Sequence, residues 1–536
     1  MNKLYIKIIL TVFVCLVLGY GYVRWFKGIA LDTSIIVLLI SLGLYAFFAD
    51  RTSIFGGVKK AIVLTIVAIL GIIQCMDQLA VLCFGYHVDG IIGDAIAIVL
   101  ATNNREIFSF IQNFQSFGFI LALVSALTVV GYIVAFNIKS NININYEIDK
   151  YLFIIICLST MTIVVNVKSP VRILGAEIYK QVNNMVDTQK YIEAKSKFIW
   201  NANSTVDGKS TVVIVLGETT RGDHMSINGY ERNTTPLLAK ENLISFKNAI
   251  SNSMHTLGAT PFMLTRKPVT DEWVNKIYPE KSIISAFKEA GYTTYYISYL
   301  GNVHIGDNEI NQIVNEADYY IRRPSGDSDC SQDSQGLPII KNILDKDKSE
   351  KRLIIYKLMG SHWHFQDTYP DKFDNFQPSF RTTEFKGPNL AQKDIFVNSY
   401  DNSIMHTDYV VSHIIGYLKS EEGECSLSLL SDHGISLYED NKTLYTGSAK
   451  ANYNIAYFFW LNDNVQDRLG QENIEVLKNN TDKPVDQTSF IDTMFIISGI
   501  DSEKKVGISL FDDLSDKDER RVLIGNKIVD YKSIYD

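Results

Sequence analysis

The chain has 536 residues, 47% of them hydrophobic, and a formal net charge of -8. That length allows two or three domains, and 11 prolines without long polar runs exclude a mainly disordered chain. Six cysteines are too few for a disulfide scaffold. The averages hide a split. Residues 1–168 carry 19 charged side chains (11 basic, 8 acidic), whereas residues 169–536 carry 91 (40 basic, 51 acidic). The first third reads as membrane and the remainder as an acidic soluble domain. An acidic surface of this kind argues against a nucleic-acid partner, which calls for a basic face.

A spanning helix needs about 20 largely apolar residues. Five stretches come close: 4–26, 29–49, 61–76 continuing apolar to 86, 117–138 and 151–167. Five in succession predict a transmembrane domain over 1–168, and four further spans after the first argue against a cleaved signal peptide. With the N-terminus inside, the inner segments hold Lys3, Lys7, Arg51, Lys59, Lys60, Lys139 and Lys150, and the outer loops hold Arg24, Lys27 and Arg105. That asymmetry favours a cytoplasmic N-terminus and an extracytoplasmic C-terminal domain. The outer loop 87–116 mixes apolar, polar and aromatic residues. It fits either amphipathic helices on the membrane surface or an ordinary loop capping the bundle.

Residues 169–209 are polar and partly helical in pattern, as a linker would be. Beyond them, from 210 to 536, short apolar runs alternate with helix-like segments. Strands are predicted at 212–216, 294–298, 353–358, 426–430 and 456–460, with helices at 282–290 and 404–418. The fold class this implies is α/β with a mostly parallel sheet.

In open α/β sheets chemistry collects at the carboxyl ends of the strands. Three predicted strands run directly into polar clusters: Gly217-Glu218-Thr219-Thr220-Arg221, Met359-Gly360-Ser361-His362-Trp363-His364 and Ser431-Asp432-His433-Gly434. Carboxylates and imidazoles together suit zinc or another divalent first-row ion. Glu218, Asp432 and His433 are the candidate ligands. Thr256, in the segment from Ser253 to Pro261, becomes a candidate nucleophile if a metal lowers its hydroxyl pKa. From spacing alone it reads equally as a helix cap, and His255 beside it stays undecided.

These residues resemble the phosphoethanolamine transferases of Gram-negative bacteria, members of the alkaline-phosphatase/sulfatase-like superfamily. The resemblance is carried by VVIVLGETTRGDHMSINGYERNTTPLL (212–238), LMGSHWHFQDTYPDKFDNFQP (358–378), SYDNSIMHTDYVV (399–411) and SDHG (431–434). It implies five spans, a linker and a periplasmic α/β/α catalytic domain. It further implies zinc held by Glu218, Thr256, Asp432 and His433, with Thr256 as the nucleophile toward phosphatidylethanolamine. The acceptor implied is a lipopolysaccharide-type glycolipid. His362 matches a histidine that binds or protonates the transferred group, and Thr102 and Glu106 match positions near the lipid head group. His364 and His255 are the candidates to replace a second phosphoryl-binding histidine, because Thr446 and Gly447 stand where the family has His-Gly.

Other departures set the chain apart. Asn252 and Phe262 occupy the positions of cysteines flanking the nucleophile loop, so packing is expected to hold that loop. Ile435 follows SDHG in place of Glu, and Ile98 replaces an expected Asn. Cys330 and Cys425 allow at most one disulfide in the C-terminal domain. Three rival readings remain: a phosphoglycerol transferase of the same fold, a plain sulfatase or phosphatase, and an inactive membrane-anchored glycan-binding protein. Thr256 counts against a sulfatase, which needs Cys or Ser for formylglycine. Retention of all four ligand positions counts against an inactive protein. Arg221 and Arg232 are read as surface ion pairs rather than phosphate-steering groups, and Trp363 as packing the sheet end rather than stacking on a sugar. His304 and Asp307 fall in a polar loop. His406, Asp408 and His413 are assigned to a helix beginning near Tyr400, where His413 reads as a surface residue.

Overall fold

A run of eight residues, Ser210–Gly217, forms the central strand β1 and is buried along its whole length. Its side chains alternate between two cores: Val212, Ile214 and Leu216 enter one, Val213 and Val215 the other. Both faces of the sheet are therefore covered, which is why the sequence shows a continuous apolar run rather than alternation. A computed structural model describes residues 191–534 apart from 192, 275, 299–308, 323–331, 386–387 and 446–448. Among them no helix is long and apolar enough to cross a membrane. The five predicted spans and the loop 87–116 with Ile98, Thr102 and Glu106 lie outside the described residues. So do His304, Asp307, Cys330, Thr446 and Gly447.

In chain order the elements that build the domain begin with β1, β2 (Leu243–Ser245), α1 (Thr256–Leu264), α2 (Ile283–Glu289) and β3 (Thr293–Ser298). Then follow α3 (Glu309–Val314), β4 (Tyr319–Arg322), α4 (Leu337–Lys346), β5 (Lys351–Lys357) and α5 (Lys393–Leu418). The last are β6 (Glu424–Ser431), β7 (Tyr457–Leu461), α6 (Asp463–Leu469), α7 (Gln471–Asn479) and α8 (Phe490–Ile497). The main sheet has the order β2-β7-β6-β1-β5-β3-β4. Strands β6, β1, β5, β3 and β4 are parallel, and β7 runs antiparallel to both β6 and β2.

Helices α1, α2, α3 and α6 to α8 supply side chains to one core, α4 and α5 to the other. The arrangement is a three-layer α/β/α sandwich with a mostly parallel sheet, as the strand–helix alternation predicted. All five predicted strands are present within a residue or two of their expected ends. The edge strands β2 and β4 were not anticipated. Helix α5 begins at Lys393, seven residues before Tyr400 and eleven before the predicted start at 404, because the polar residues Asn398, Ser399, Asp401, Asn402 and Ser403 are buried there and interrupt the apolar periodicity.

Trp200, inside the segment read as linker, is completely buried, and its indole N–H donates to the Ser282 carbonyl at 2.9 Å. Asn203–Ser204 pairs antiparallel with Ile500–Asp501. The chain is thus anchored in the domain about ten residues before β1.

Candidate active site

The register of the three central strands brings the chemistry together. Gly217 lies opposite Ser431, and Leu216 lies opposite Lys357, so β1, β5 and β6 finish at one edge. The next residue on β1 is Glu218 and the next on β6 is Asp432, both almost fully buried. Gly360 makes the third strand end fit. Its φ is +53°, and a Cβ there would lie 2.5 Å from the Glu218 carbonyl oxygen. Thr219 also sits in the left-handed region at φ +57°, a costly conformation for a β-branched residue. Contacts on both sides hold it: its N–H donates to Asp432 Oδ1 at 3.0 Å, and the Tyr400 hydroxyl donates to its carbonyl at 2.8 Å.

Glu218, Asp432 and His433 each present a ligand atom, all within 4.8 Å of one another. Thr256, the first residue of α1, joins them from the other side. Its hydroxyl is 3.2 and 3.3 Å from the two Glu218 oxygens and 3.4 Å from His433 Nε2. His433 is oriented by its own neighbour: Nδ1–H donates to the Gly434 carbonyl at 2.8 Å, which leaves Nε2 facing Glu218 and Thr256. Such a backbone partner fixes the tautomer a metal ligand requires. Two carboxylates, an imidazole and a hydroxyl converging in this way fit a divalent first-row cation such as zinc.

The same contacts set the charge states of these groups. Burial works against the Glu218 charge, but Lys357, the hydrogen-bonded His433 and nearby His362 hold its carboxyl well below the usual range. Burial likewise opposes a charged His433, yet Asp432 and Glu218 raise its pKa to about 9. Binding of a cation therefore requires release of that proton.

The remaining predicted residues occupy defined places. His362 is close enough to act on Glu218 electrostatically, and its Nδ1 is 2.7 Å from the Trp363 carbonyl. His364 stacks on Trp363 with ring centroids 4.3 Å apart, and burial lowers its pKa to about 4. Trp363 also packs on Phe365, Phe380, Phe385, Phe396 and Tyr445, so it is part of the sheet-end packing. His255 is the residue preceding α1 and is half-buried. Arg221 is a correction to the sequence reading. It makes an ion pair, but a buried one, with Asp223 and Glu439, and it donates to the Ile435 carbonyl. Arg232 pairs with Asp401 at 2.9 Å. His406 and Asp408 are buried, the latter accepting from the N–H groups of Leu237 and Leu238.

Where cysteines were expected around the nucleophile, hydrogen bonds hold the loop. The Asn252 side chain donates to the Arg521 carbonyl at 2.8 Å, and its backbone N–H donates to Gln487 Oε1 at 3.1 Å. Its carbonyl accepts from Leu523 N–H, and Phe262 is buried in the core. Packing was therefore half of the answer.

Three residues important to the site were not singled out in the sequence. Lys357 donates to Glu218, Asp432 and the Gly217 carbonyl. Gln487 donates to the carbonyls of Ser431 and Asp432 at 2.9 and 2.7 Å. Asp333 accepts from Met359 and Gly360 N–H groups, and burial raises its pKa to about 7. A lysine closing an apolar strand that abuts a candidate site was the signal available for Lys357.

Comparisons with known proteins agree with this architecture. The chain is 27% identical over 307 residues to phosphoethanolamine transferase EptA of Salmonella typhimurium, covering 55% of this chain and 54% of that one. It is 27% identical over 267 residues to Kdo(2)-lipid A phosphoethanolamine 7''-transferase of Escherichia coli, covering 50% and 46%. The matches span about half the length of these curated relatives. Among solved structures, the zinc complex of the periplasmic domain of EptC from Escherichia coli superposes with TM-score 0.52 at 22% identity. That match covers 63% of this chain and 97% of that one. The integral membrane protein EptA from Neisseria meningitidis superposes with TM-score 0.62 at 16% identity, covering 88% and 96%. The domain thus has an alkaline-phosphatase-like α/β fold. The sulfatase family's sequence profile matches residues 210–500, more than half of the chain, and with Glu218, Asp432 and His433 gathered at its strand ends the protein belongs to that family.

Proposed function

We propose that the chain is a zinc-dependent phosphoethanolamine transferase that moves the group from phosphatidylethanolamine to a lipopolysaccharide acceptor. The observation that carries this reading is the Thr256 hydroxyl, held within 3.4 Å of both Glu218 and His433 at the first position of a helix. Glu218, Asp432, His433 and Thr256 would hold the ion. When bound, zinc lowers the hydroxyl pKa and offsets charge on the phosphoryl oxygens. The curated relatives carry the names of such transferases, which supports the same reaction class here.

The residues divide the work as follows. Thr256 Oγ attacks phosphorus, forming a P–O bond while the bond to the diacylglycerol oxygen breaks. Glu218, its carboxyl held well below the usual range, orients the Thr256 hydroxyl rather than keeping its proton, which passes to solvent. His362 supplies a proton to the departing diacylglycerol. At the start of α1 the Gly258 and Ala259 N–H groups donate to the His255 carbonyl, and those of Thr256 and Leu257 ahead of them favour the phosphoryl anion. An acceptor hydroxyl or phosphate then takes the group from Thr256 and regenerates the hydroxyl. Splitting the transfer in this way replaces one difficult step by two easier ones. The predicted five-span N-terminal domain, with the N-terminus in the cytoplasm, would keep the site at the periplasmic face of the inner membrane beside its lipid donor. Thr102 and Glu106 are the candidates there for the lipid head group.

The test is intact-mass analysis and peptide mapping of the full-length protein incubated with phosphatidylethanolamine and zinc, without acceptor, beside Thr256→Ala. A phosphoethanolamine adduct on Thr256, absent from the variant, is expected. An adduct formed only from phosphatidylglycerol would replace this reading with a phosphoglycerol transferase. No adduct from either lipid, with no zinc bound, would favour an inactive binding protein.

A further inference from the structure

Lys357 is 5% exposed and ends β5 directly beneath the candidate metal ligands. Its ammonium has three donors, and each has an acceptor: Glu218 Oε2 at 2.8 Å, Asp432 Oδ2 at 3.0 Å and the Gly217 carbonyl at 2.9 Å. The group is thus saturated, and it touches both carboxylates that would hold the ion. Asp432 Oδ1 is engaged separately, by the N–H groups of Thr219 and His433. Glu218 Oε1 accepts from the Thr219 hydroxyl and lies 3.4 Å from His433 Nε2, while the Thr256 hydroxyl is within 3.3 Å of both Glu218 oxygens.

We propose that Lys357 is a built-in counter-cation of the metal site, a positioning residue that keeps the two ligand carboxylates assembled without the ion and moderates how tightly the ion is held. The inference rests on the metal reading of the proposed function. Two buried carboxylates this close repel one another, and a fixed ammonium between them removes most of that cost. The same charge lies a few ångströms from any cation bound by Glu218 and Asp432 and opposes it. A site carrying its own cation also leaves more net positive charge to face the phosphoryl group once the ion is in place. A divalent ion can then be exchanged without collapse of the strand ends.

The experiment uses the full-length protein and its Lys357→Met, Glu218→Gln and doubly substituted variants. Zinc affinity is read by competition with a chromophoric chelator, and thermal stability is read in excess chelator. Lys357→Met is expected to bind zinc at least about tenfold more tightly, because the opposing charge is gone. Without metal, Glu218→Gln should lower the melting temperature of the unaltered chain, where it breaks an ion pair. In the Lys357→Met background, where only His433 still faces the two carboxylates, it should lower the melting temperature less or raise it. If Lys357→Met does not fold on its own, recovery of folding in the double variant supports the proposal. Unchanged or weaker zinc affinity in Lys357→Met, or a Glu218→Gln effect of the same size in both backgrounds, overturns it. Failure of the unaltered chain to bind zinc would instead remove the metal reading, and the difference in the Glu218→Gln effect between the two backgrounds would still judge Lys357 alone.

Discussion

The Thr256 hydroxyl lies 3.2 Å from Glu218 Oε1 although 38 residues separate the two in the chain. Glu218 is fixed by the end of β1, Thr256 by the start of α1, and the loop between them is pinned through Asn252. The proposed nucleophile is thus held by two separate elements, at the start of a helix that the neighbouring Thr219 hydroxyl, 3.1 Å from the same Glu218 oxygen, does not share. Thr256→Ala should therefore lower kcat by about 10³-fold or more while leaving the fold intact. Thr256→Ser keeps the oxygen but loses the methyl group that restricts its rotamer, so a measurable fraction of the rate should survive. Steady-state transfer rates for both variants check this, and equal losses in the two would count against a hydroxyl nucleophile.

Gln487 joins the loop before Thr256 to the loop that carries the candidate metal ligands Asp432 and His433. Its amide N–H groups donate to Ser431 and Asp432, and its carbonyl accepts from Asn252 N–H and the Ser251 hydroxyl. Gln487→Leu removes these bonds and leaves buried carbonyls and N–H groups unpaired. A loss of about 3 kcal/mol follows from such penalties. Chemical denaturation should report it, and zinc affinity should fall with it because Asp432 loses its backbone anchor. A stability change below about 1 kcal/mol would show that water or neighbours replace the amide.

Much of this site is legible in the amino-acid order, for a physical reason. Strands covered on both faces must be continuously apolar, so β1, β5 and β6 stand out, and the polar residues that follow them fall at one edge of the sheet. Glu218, His362, Asp432 and His433 are found by that logic. Lys357 escapes it because a lysine closing a strand usually marks the return to solvent. Only the pairing of β5 with β1 brings it under Asp432, 75 residues away. Arg221 was placed on the surface for the same reason, since its acceptors Glu439 and Ile435 lie more than 200 residues further on. The edge strands Leu243–Ser245 and Tyr319–Arg322 are too short to carry a period, and β4 is exposed at both ends.

Gly360 bears on Glu218 directly. Its left-handed backbone alone disfavours a side chain, and the new Cβ would meet the Glu218 carbonyl oxygen at 2.5 Å and its N at 3.0 Å. Gly360→Ala is expected to cost about 2 kcal/mol or more, beyond the ordinary penalty for positive φ, because backbone must move. The displaced atoms belong to a candidate metal ligand, so zinc content after purification should drop in parallel. Full metal occupancy with unchanged stability would mean that the turn relaxes freely.

Acid sensitivity should trace in part to His406, outside the site. The ring is buried on α5, its Nδ1–H donates to the Thr368 carbonyl at 2.9 Å, and its Nε2 has no hydrogen-bond partner among the described residues. Burial, reinforced by Lys372 and only partly opposed by Thr368, lowers its pKa to about 4. The unfolded chain titrates near the ordinary value of about 6.5. The fold therefore favours the neutral ring, so this contribution is fully present above pH ~6.5 and is lost as pH falls through about 4. Between pH 7 and 4.5 the loss amounts to about 2 kcal/mol. His406→Gln retains a donor for Thr368 but cannot charge. Unfolding free energies measured at both pH values should fall less in the variant by that amount, and parallel pH profiles would rule His406 out as the source.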